Sequence, residues 1–269
     1  MTPAALEGVS SWDAVAAAGF VAGREVQTAG PAGQVFEWAS VTKLVTALAV
    51  WVAVEEGIAG YDDPAGPPGS TLRHLLAHAS GLAPDADDVL APPGRRRIYS
   101  NRGVELAAQH VAAAAAMPFE DYAREAVLEP LGMKATRLVQ PAWGAAGPLE
   151  DLLRLASELQ APTLVAPATL AASSSPAFPG LPGVLPGFGP QPDNSWGLGV
   201  EIRDHKQPHW TGRLNSPRTF GHFGRSGSFL WVDPEAGVAA ASLADRPFGP
   251  WAAQAWPELS DAVLRSQGP

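Results

Sequence analysis

The alternation of apolar and polar positions predicts a helix and strands near the start of the chain, helices in the middle, and strands followed by a closing helix at the end. Short runs with strand periodicity lie near both ends, and stripes with helical periodicity occupy the middle. Residues 161–193 are dense in Pro, Gly, Ser and Ala, which predicts a long irregular connection with at most one short helix. In chain order the predicted elements are a helix over 10–18, strands over 19–22, 25–29 and 35–38, a helix from Ser40, helices over 70–78, 103–116, 118–128 and 149–159, strands over 196–202, 219–223, 227–232 and 237–243, and a closing helix over 251–265.

This order of elements predicts the α+β fold class. An antiparallel sheet would be formed by both chain ends, residues 1–59 and 190–269, and flanked by terminal helices. The helices within residues 60–189 would form an inserted helical lobe. A chain of 269 residues with 46% hydrophobic content can bury a core of that size.

The helix that begins near Ser40 is unusual because it is apolar on every side. Its run over 44–54 leaves almost no polar face, which predicts a helix buried in a core. Lys43 lies one turn from Ser40 on the same face, where an ammonium is costly unless it is paired or neutralised. Two interpretations are open on this motif alone. Either Ser40 caps the helix and Lys43 extends to the surface, or a neutral Lys43 takes the proton of a nucleophilic Ser40.

Composition narrows the classes of partner. A net charge of −9 and a pI of about 5.1 argue against a nucleic acid or an anionic membrane. The absence of cysteine excludes disulfides and thiol catalysis. The first residues lack the pattern of a secretory signal and no apolar run is long enough to span a bilayer, so we expect a cytoplasmic protein. The basic cluster 95–97 is expected in a solvated loop, with contact to an anionic substrate group as the alternative.

Two histidines at helical spacing, His74 and His78, raise the question of a metal site. A zinc-protease pattern needs a glutamate directly after the first histidine, and Leu75 occupies that position. Since no third ligand lies nearby in the sequence, we expect histidines that pack or hydrogen-bond, and no metal. The chain also contains no Gly-x-Ser-x-Gly, no phosphate-binding glycine loop and no dinucleotide fingerprint after a strand.

Three short motifs occur in a fixed order, namely Ser40-x-x-Lys43, Tyr99-Ser100-Asn101 and His222-Phe223-Gly224. Together they resemble the serine β-lactamase and penicillin-binding-protein superfamily. The resemblance is closest to the class C β-lactamase, DD-peptidase and esterase branch, in which His-x-Gly often replaces Lys-Thr-Gly. Residues 74–82, 130–136 and 147–159 are similar to the same branch. The resemblance covers about 38–244 and implies a β-lactamase/transpeptidase-like fold that needs no cofactor.

The resemblance implies roles for the first two motifs. Ser40 would be the nucleophile, Lys43 its base or electrostatic partner, and Tyr99 the group that passes a proton to the leaving group. For that role neighbouring cations would have to lower the pKa of the Tyr99 phenol. Asn101 would hydrogen-bond Lys43 and the substrate, although on its own it can equally be a helix N-cap. Tyr99 on its own can equally be a core or turn tyrosine.

The third motif would bind the substrate in a strand at the sheet edge. His222 would lie beside the substrate, and Gly224 would let the substrate approach the backbone. By family analogy the Arg225 N–H and the Ser40 N–H would form the oxyanion hole. Taken alone, His222 is equally an ordinary buried strand histidine.

The expected function is that of a serine hydrolase acting through an acyl-enzyme on a small ester or amide. His222 removes the fixed positive charge that would bind a β-lactam carboxylate, and a neutral imidazole binds that group less well at pH 7. Arg225 would restore the charge if its side chain faced the pocket. A β-lactamase or D-alanyl carboxypeptidase is the alternative, and a catalytically weak binder of peptides or cell-wall fragments is the alternative from another class. The expected partner is a small ester, amide or β-lactam-like molecule, and the oligomeric state is not predicted.

Overall fold

The computed structural model describes residues 2–268 and is built around a six-stranded antiparallel sheet in the order β2-β1-β11-β10-β9-β8. The strands are β1 (Ala16–Ala22), β2 (Glu25–Ala29), β3 (Phe36–Glu37), β4 (Arg137–Leu138), β5 (Ala145–Gly147), β6 (Gly183–Leu185), β7 (Gly189–Gln191), β8 (Glu201–Ile202), β9 (Phe220–Gly224), β10 (Ser228–Asp233) and β11 (Val238–Ala244). The helices are α1 (Thr42–Glu55), α2 (Leu72–Leu76), α3 (Asn101–Ala115), α4 (Phe119–Ala123), a π-helical turn (Arg124–Leu128), α5 (Leu149–Gln160), α6 (Pro167–Ser173) and α7 (Pro250–Ser266), with 3₁₀ turns at Ala4–Ser11 and Ala39–Val41.

Both chain ends contribute to this sheet, as the sequence predicted. β1 pairs with β11 along its whole length, from Ala16 opposite Ala244 to Ala22 opposite Val238. Successive strand residues point to opposite faces, so the sheet separates two apolar cores. In β10, Leu230 and Val232 enter the core that contains α1 and α5. Phe229 and Trp231 enter the second core, beneath α7 and the N-terminal 3₁₀ turn. The predicted α+β fold is therefore confirmed.

The prediction of an N-terminal helix over 10–18 is wrong. The chain forms a 3₁₀ turn over Ala4–Ser11 and then enters β1. Asp13 has a φ of 50°, which ends any helix there, and the Val15 N–H donates to Asp245 Oδ1 at 2.9 Å. The helical pattern of this segment does not determine its structure, because all seven residues of β1 pair with β11 in the sheet. Trp12, which precedes Asp13, is buried in the second core.

Three further segments differ from their predicted form. The helix over 70–78 is only α2, because His78 takes a φ of 53° beyond its end. The strand over 196–202 reduces to β8, since Gly199 has a φ of 94° and Trp196 forms a β-bridge with Glu201. The connection over 161–193 contains one short helix, α6, which is within the predicted limit, and also the unpredicted hairpin β6–β7.

The apolar helix α1 is buried as predicted. Every residue from Thr42 to Ala53 is inaccessible or nearly so, and the Trp51 Nε1–H donates to Leu198 O at 2.8 Å. α5 lies inside the range 60–189 but packs against β1, β10 and β11. The boundaries of an inserted lobe therefore remain a prediction. No helix in the described chain is long and apolar enough to cross a membrane.

Candidate active site

Ser40 lies in a tightly held 3₁₀ turn between β3 and α1. Trp38, which is fully buried, receives a hydrogen bond at its carbonyl from Ser228 Oγ at 2.7 Å and donates its Nε1–H to Gly147 O at 3.0 Å. Ala39 then takes a φ of 44°, which is rare for a residue other than glycine. Strained backbone of this kind persists only where the surrounding structure fixes it. The backbone of the turn that carries Ser40 is therefore fixed by contacts with β10 and β5.

The Ser40 hydroxyl contacts two other motif residues. Its Oγ lies 2.8 Å from Tyr99 Oη and 3.2 Å from Lys43 Nζ. Neither the 3₁₀ turn nor α1 receives a capping hydrogen bond from a side chain at its N-terminus. The interpretation of Ser40 as an N-cap is therefore wrong.

Lys43 is buried beneath Ser40 and does not extend to the surface, so that interpretation is also wrong. Only 2% of the residue is exposed. Its Nζ lies 2.7 Å from Asn101 Oδ1 and 2.7 Å from Ala142 O. Burial lowers the pKa of Lys43 to about 7, against the opposing effect of the Asp85 and Glu105 carboxylates. A neutral amine has two N–H groups and one lone pair. The two carbonyl oxygens accept the N–H groups, which leaves the lone pair for Ser40.

Tyr99 lies on the other side of the serine hydroxyl. Its Oη donates to Ser40 Oγ, and Lys43 Nζ lies 4.8 Å from the centre of its ring. Burial raises the pKa of Tyr99 above its ordinary value, and the hydrogen bond to Ser40 opposes this only in part. The expected lowering by neighbouring cations is therefore wrong. In the free protein Tyr99 is a neutral phenol that can donate a proton.

Asn101 begins α3 but does not cap it. The cap is Ser100, whose Oγ accepts from the Gly103 N–H at 2.9 Å. Asn101 Oδ1 is thus available to Lys43, while its Nδ2 donates to Asp85 Oδ1 at 2.8 Å. The Asn101 amide connects the exposed Asp85 carboxylate to the buried amine.

The third motif lies on β9, the second strand from the edge of the sheet. β8 pairs only with Phe220 and Gly221, so within the described chain no strand covers that edge at residues 222–224. A Cβ on Gly224 would lie 2.5 Å from Trp38 O and 2.5 Å from Ser228 Oγ. Glycine therefore allows the end of β9 to abut the turn that carries Ser40. The backbone of Arg225 follows directly, beside that turn.

His222 is buried and neutral. Its Nδ1 lies 2.7 Å from Phe223 O, and since a carbonyl only accepts, Nδ1 carries the proton. Burial, with Lys43 adding to it, lowers the pKa of His222 to about 3. Its Nε2 therefore has a lone pair, and among the described residues it has no hydrogen-bond partner. The imidazole offers no N–H to an anionic ligand.

One cavity of about 290 Å³ is lined by five of the seven predicted site residues, and only Lys43 and Gly224 of that set do not line it. The Arg225 side chain, which is exposed, borders it too. Its lining comprises Ser40, Tyr99, Asn101, Leu185, Pro186, Gly187, Trp196, Glu201, His222, Phe223, Arg225 and Phe248. A larger groove of about 1030 Å³, between residues 203–213 and α7, contains none of the predicted site residues. The smaller cavity is therefore the candidate active site.

His78 is a site residue whose role the sequence did not indicate. It hydrogen-bonds the backbone of the two residues that precede and follow Tyr99. Its carbonyl accepts from the Ile98 N–H at 2.9 Å, and its Nδ1 accepts from the Ser100 N–H at 3.1 Å. Its ring lies 4.7 Å from the Tyr99 ring. The spacing to His74 had predicted packing or hydrogen bonding, which is confirmed, but nothing local shows that His78 holds Tyr99.

The remaining sequence predictions near the site have mixed outcomes. His74 hydrogen-bonds Thr71 at the start of α2 and stacks on Phe178. Within residues 2–268 no three metal-ligating side chains come together. The prediction of a solvated loop is wrong for Arg97, which is 2% exposed. Its guanidinium donates to the carbonyls of Ala77, Ala177, Phe178 and Asn194.

A partly exposed serine between a buried lysine and a tyrosine, at the head of a helix packed on an antiparallel sheet, defines a serine hydrolase fold. The chain belongs to the Beta-lactamase family, whose model matches residues 11–264. The resemblance drawn from the three motifs is thereby confirmed.

Similar proteins of this fold differ in their described activities. A crystal structure from Mycobacterium bovis described as a beta-lactamase is 50% identical, with a TM-score of 0.96, covering 98% of this chain and 99% of that one. EstCE1, described as a hydrolase with promiscuous acyltransferase activity, is 19% identical with a TM-score of 0.76, covering 97% and 96%. Penicillin-binding protein 4* of Bacillus subtilis is 32% identical over 38% of this chain, and the match spans only 30% of that protein.

Proposed function

We propose that the protein is a serine hydrolase that acts through an acyl-enzyme on Ser40 and prefers a small uncharged ester. The observation that carries this proposal is the set of contacts at Ser40 Oγ. Lys43 Nζ, whose pKa burial lowers to about 7, lies 3.2 Å away, and Tyr99 Oη lies 2.8 Å away. A base and an acid are thus both within reach of the same oxygen.

Acylation uses these two neighbours in opposite directions. The neutral Lys43 takes the Ser40 proton as Oγ bonds to the carbonyl carbon of the ester. The backbone N–H groups of Ser40 and Arg225 stabilise the oxyanion of the tetrahedral intermediate. As the intermediate collapses, the bond to the leaving oxygen breaks and Tyr99 donates its proton to that oxygen. Since burial raises the pKa of Tyr99 well above that of Lys43, Tyr99 then recovers a proton from the Lys43 ammonium, and the acyl-enzyme again holds a neutral amine and a neutral phenol.

Deacylation uses the same two groups. The neutral Lys43 gains a proton from a water molecule, relayed through Tyr99, as the water oxygen attacks the acyl carbonyl. When the second tetrahedral intermediate collapses, Ser40 Oγ leaves and recovers its proton from Lys43. Both residues return to their starting state, and the net reaction consumes one ester and one water. Asn101 Oδ1 holds the Lys43 amine throughout, because it accepts one of its N–H groups at 2.7 Å.

The state of His222 favours an uncharged substrate over a carboxylate. Its Nδ1–H donates to Phe223 O and its Nε2 carries no proton, so it cannot donate to an anion. β-Lactam hydrolysis or D-alanyl peptide cleavage is the second candidate, because Arg225 borders the cavity and can meet a carboxylate there. The 50% identical protein described as a beta-lactamase also supports that candidate. A purely binding role would not need a neutral lysine held against the serine.

The decisive experiment compares covalent labelling with turnover. The protein and its Ser40→Ala variant are incubated with a fluorophosphonate or with a penicillin, and intact mass is measured. Ser175→Ala, which removes an exposed hydroxyl bonded only to Ala171 O, is the matched control. We expect a fluorophosphonate adduct that is lost in Ser40→Ala and retained in Ser175→Ala, with hydrolysis of p-nitrophenyl esters.

The outcomes separate the candidates. Turnover of a chromogenic cephalosporin at rates above those for simple esters would favour the β-lactamase. Absence of any adduct, together with absence of ester hydrolysis, would reject the enzyme and leave the binding protein.

A further inference from the structure

A β-hairpin forms one wall of the candidate active site. Strands β6 and β7 pair in the register Gly183 to Gln191, and the turn between them carries Pro186 and Gly187. Leu185, Pro186 and Gly187 all border the cavity that contains Ser40. The hairpin belongs to the Pro- and Gly-rich connection, so its contribution to the site was not predicted from the motifs.

Aromatic contacts hold the hairpin in place. Phe188 lies 5.9 Å from Phe223, edge to face, and 5.9 Å from Phe248. Phe223 and Phe248 are themselves 5.0 Å apart. A Cβ on Gly187 would lie 2.7 Å from the Phe248 ring, so the hairpin turn rests directly on that ring. Phe223 follows His222 in β9, which ties the hairpin to the strand of the third motif.

The base of the hairpin is attached to the segment before Tyr99. The Arg97 N–H donates to Pro182 O at 2.8 Å, and the Asn194 N–H donates to Leu181 O at 2.9 Å. The buried Arg97 guanidinium donates to Asn194 O at 2.9 Å. The hairpin is therefore held in place at its turn by aromatic contacts and at its base by hydrogen bonds to Arg97, which lies two residues before Tyr99.

The hairpin and its neighbours make the cavity lining largely apolar. It includes Leu185, Pro186, Trp196, Phe223 and Phe248. Among the described residues one carboxylate borders the cavity, that of Glu201, and it forms an ion pair with Lys206. Apolar lining with few polar groups binds apolar ligand groups through loss of water-exposed area.

The cavity volume limits the size of such a group. A dry cavity of about 150 Å³ holds benzene, with its six carbons, so the 290 Å³ here holds about twelve non-hydrogen atoms. Since an ester group uses three of those atoms, about eight or nine remain for the attached substituent.

We propose that the hairpin over 183–191 and Phe248 select esters in which a compact apolar group of about eight non-hydrogen atoms or fewer flanks the scissile bond. This inference rests on the proposed function and names its substrate class. Suitable groups are straight chains of about four to eight carbons or a phenylacetyl-sized aromatic group.

The test measures how kcat/KM depends on chain length. One series varies the acyl group of p-nitrophenyl esters from acetyl to hexadecanoyl, and a second varies the alcohol of acetate esters, followed by pH-stat. We expect at least one series to reach its maximum between about four and eight carbons and to fall about tenfold or more by twelve carbons.

Phe248→Ala opens the wall and is expected to move the optimum about two carbons or more towards longer chains. Phe178→Ala is the matched control, since Phe178 is also half-buried but stacks on His74 away from the cavity. Fluorophosphonate labelling of Ser40 reports whether each variant retains an active nucleophile. If Phe248→Ala loses labelling, Phe248→Leu replaces it, with the same expected direction.

Provided that Ser40 is still labelled, any of three results would overturn the inference. These are a flat profile in both series, a maximum at twelve carbons or more, and an unchanged optimum in the Phe248 variant. If the wild-type protein were neither labelled nor able to hydrolyse any ester, the proposed function would be rejected and this inference with it.

Discussion

The pH dependence of the proposed reaction should be set by Lys43 and tuned by Asp85. Only a neutral Lys43 can accept the Ser40 proton, and burial lowers its pKa to about 7. Below that pH the amine is protonated, so kcat/KM for an uncharged ester should fall about tenfold per pH unit. The Asp85 carboxylate favours the protonated amine and thus acts against activity at low pH.

Replacing Asp85 by Asn should therefore increase activity in acid. The carboxylate reaches the amine through the Asn101 amide, by hydrogen bonds of 2.8 and 2.7 Å. At a separation of about 7 Å the attraction is roughly 0.6 kcal/mol in water and roughly 2.4 kcal/mol at an effective dielectric constant of 20. Asp85 is exposed, so the lower value applies. Since 1.36 kcal/mol corresponds to one pKa unit, the ascending limb should move to lower pH by about half a unit.

The assay is kcat/KM for p-nitrophenyl butyrate between about pH 5 and 9 at low ionic strength. Asn at position 85 can still accept from Asn101 Nδ2, so the hydrogen bond is retained while the charge is removed. Asp87→Asn is the matched control, because Asp87 is also exposed but pairs with Arg102. A limb that stayed in place or moved to higher pH in Asp85→Asn would refute the assignment of Lys43 as the base.

Three other substitutions test separate parts of the site. Tyr99→Phe should lower kcat by roughly 10²–10⁴-fold with little change in KM, because it removes the proton donor; a wild-type kcat would exclude that role. His78→Ala should lower kcat about tenfold in the otherwise unchanged protein but cause no further loss in the Tyr99→Phe variant, and additive losses would contradict a role through Tyr99. His78→Asn should retain most activity, because its Oδ1 can replace Nδ1 as the acceptor of the Ser100 N–H. Arg97→Ala should lower the free energy of unfolding by about 2–4 kcal/mol in urea denaturation, because it leaves buried carbonyls without their donor. Arg96→Ala, at an exposed residue, should lower it by under about 0.5 kcal/mol, and equal effects would contradict a structural role of the Arg97 guanidinium.

The elements predicted correctly are those whose pattern is local and strong. α1 was recognisable because its apolar residues leave no polar face, and burial of 42–53 follows from that alone. β9, β10 and β11 were placed to within about two residues because turn residues separate three short apolar runs. The order of the three motifs was enough to predict that residues far apart in the chain share one cavity.

The elements predicted wrongly depend on partners distant in sequence. Residues 10–18 carry a helical stripe, but Ala16 pairs with Ala244 and the Val15 N–H with Asp245. No local pattern contains that information. The hairpin over 183–191 was missed for a related reason, because its stability comes from Phe223 and Phe248 on other segments.

The sequence offered neutral states of Lys43 and His222 as interpretations, but the extent of burial that decides them depends on the whole fold, and the pKa shift expected for Tyr99 had the wrong direction. Burial by the surrounding helices and strands lowers the pKa of Lys43 to about 7 and that of His222 to about 3. The same physical cause thus creates a base beside Ser40 and removes a cation from the position of the third motif. A site that desolvates its amine enough to make it neutral also penalises a charged group of the substrate that enters beside it. Reactivity of the serine and preference for an uncharged ester are therefore linked, because both follow from the same exclusion of water around Lys43 and His222.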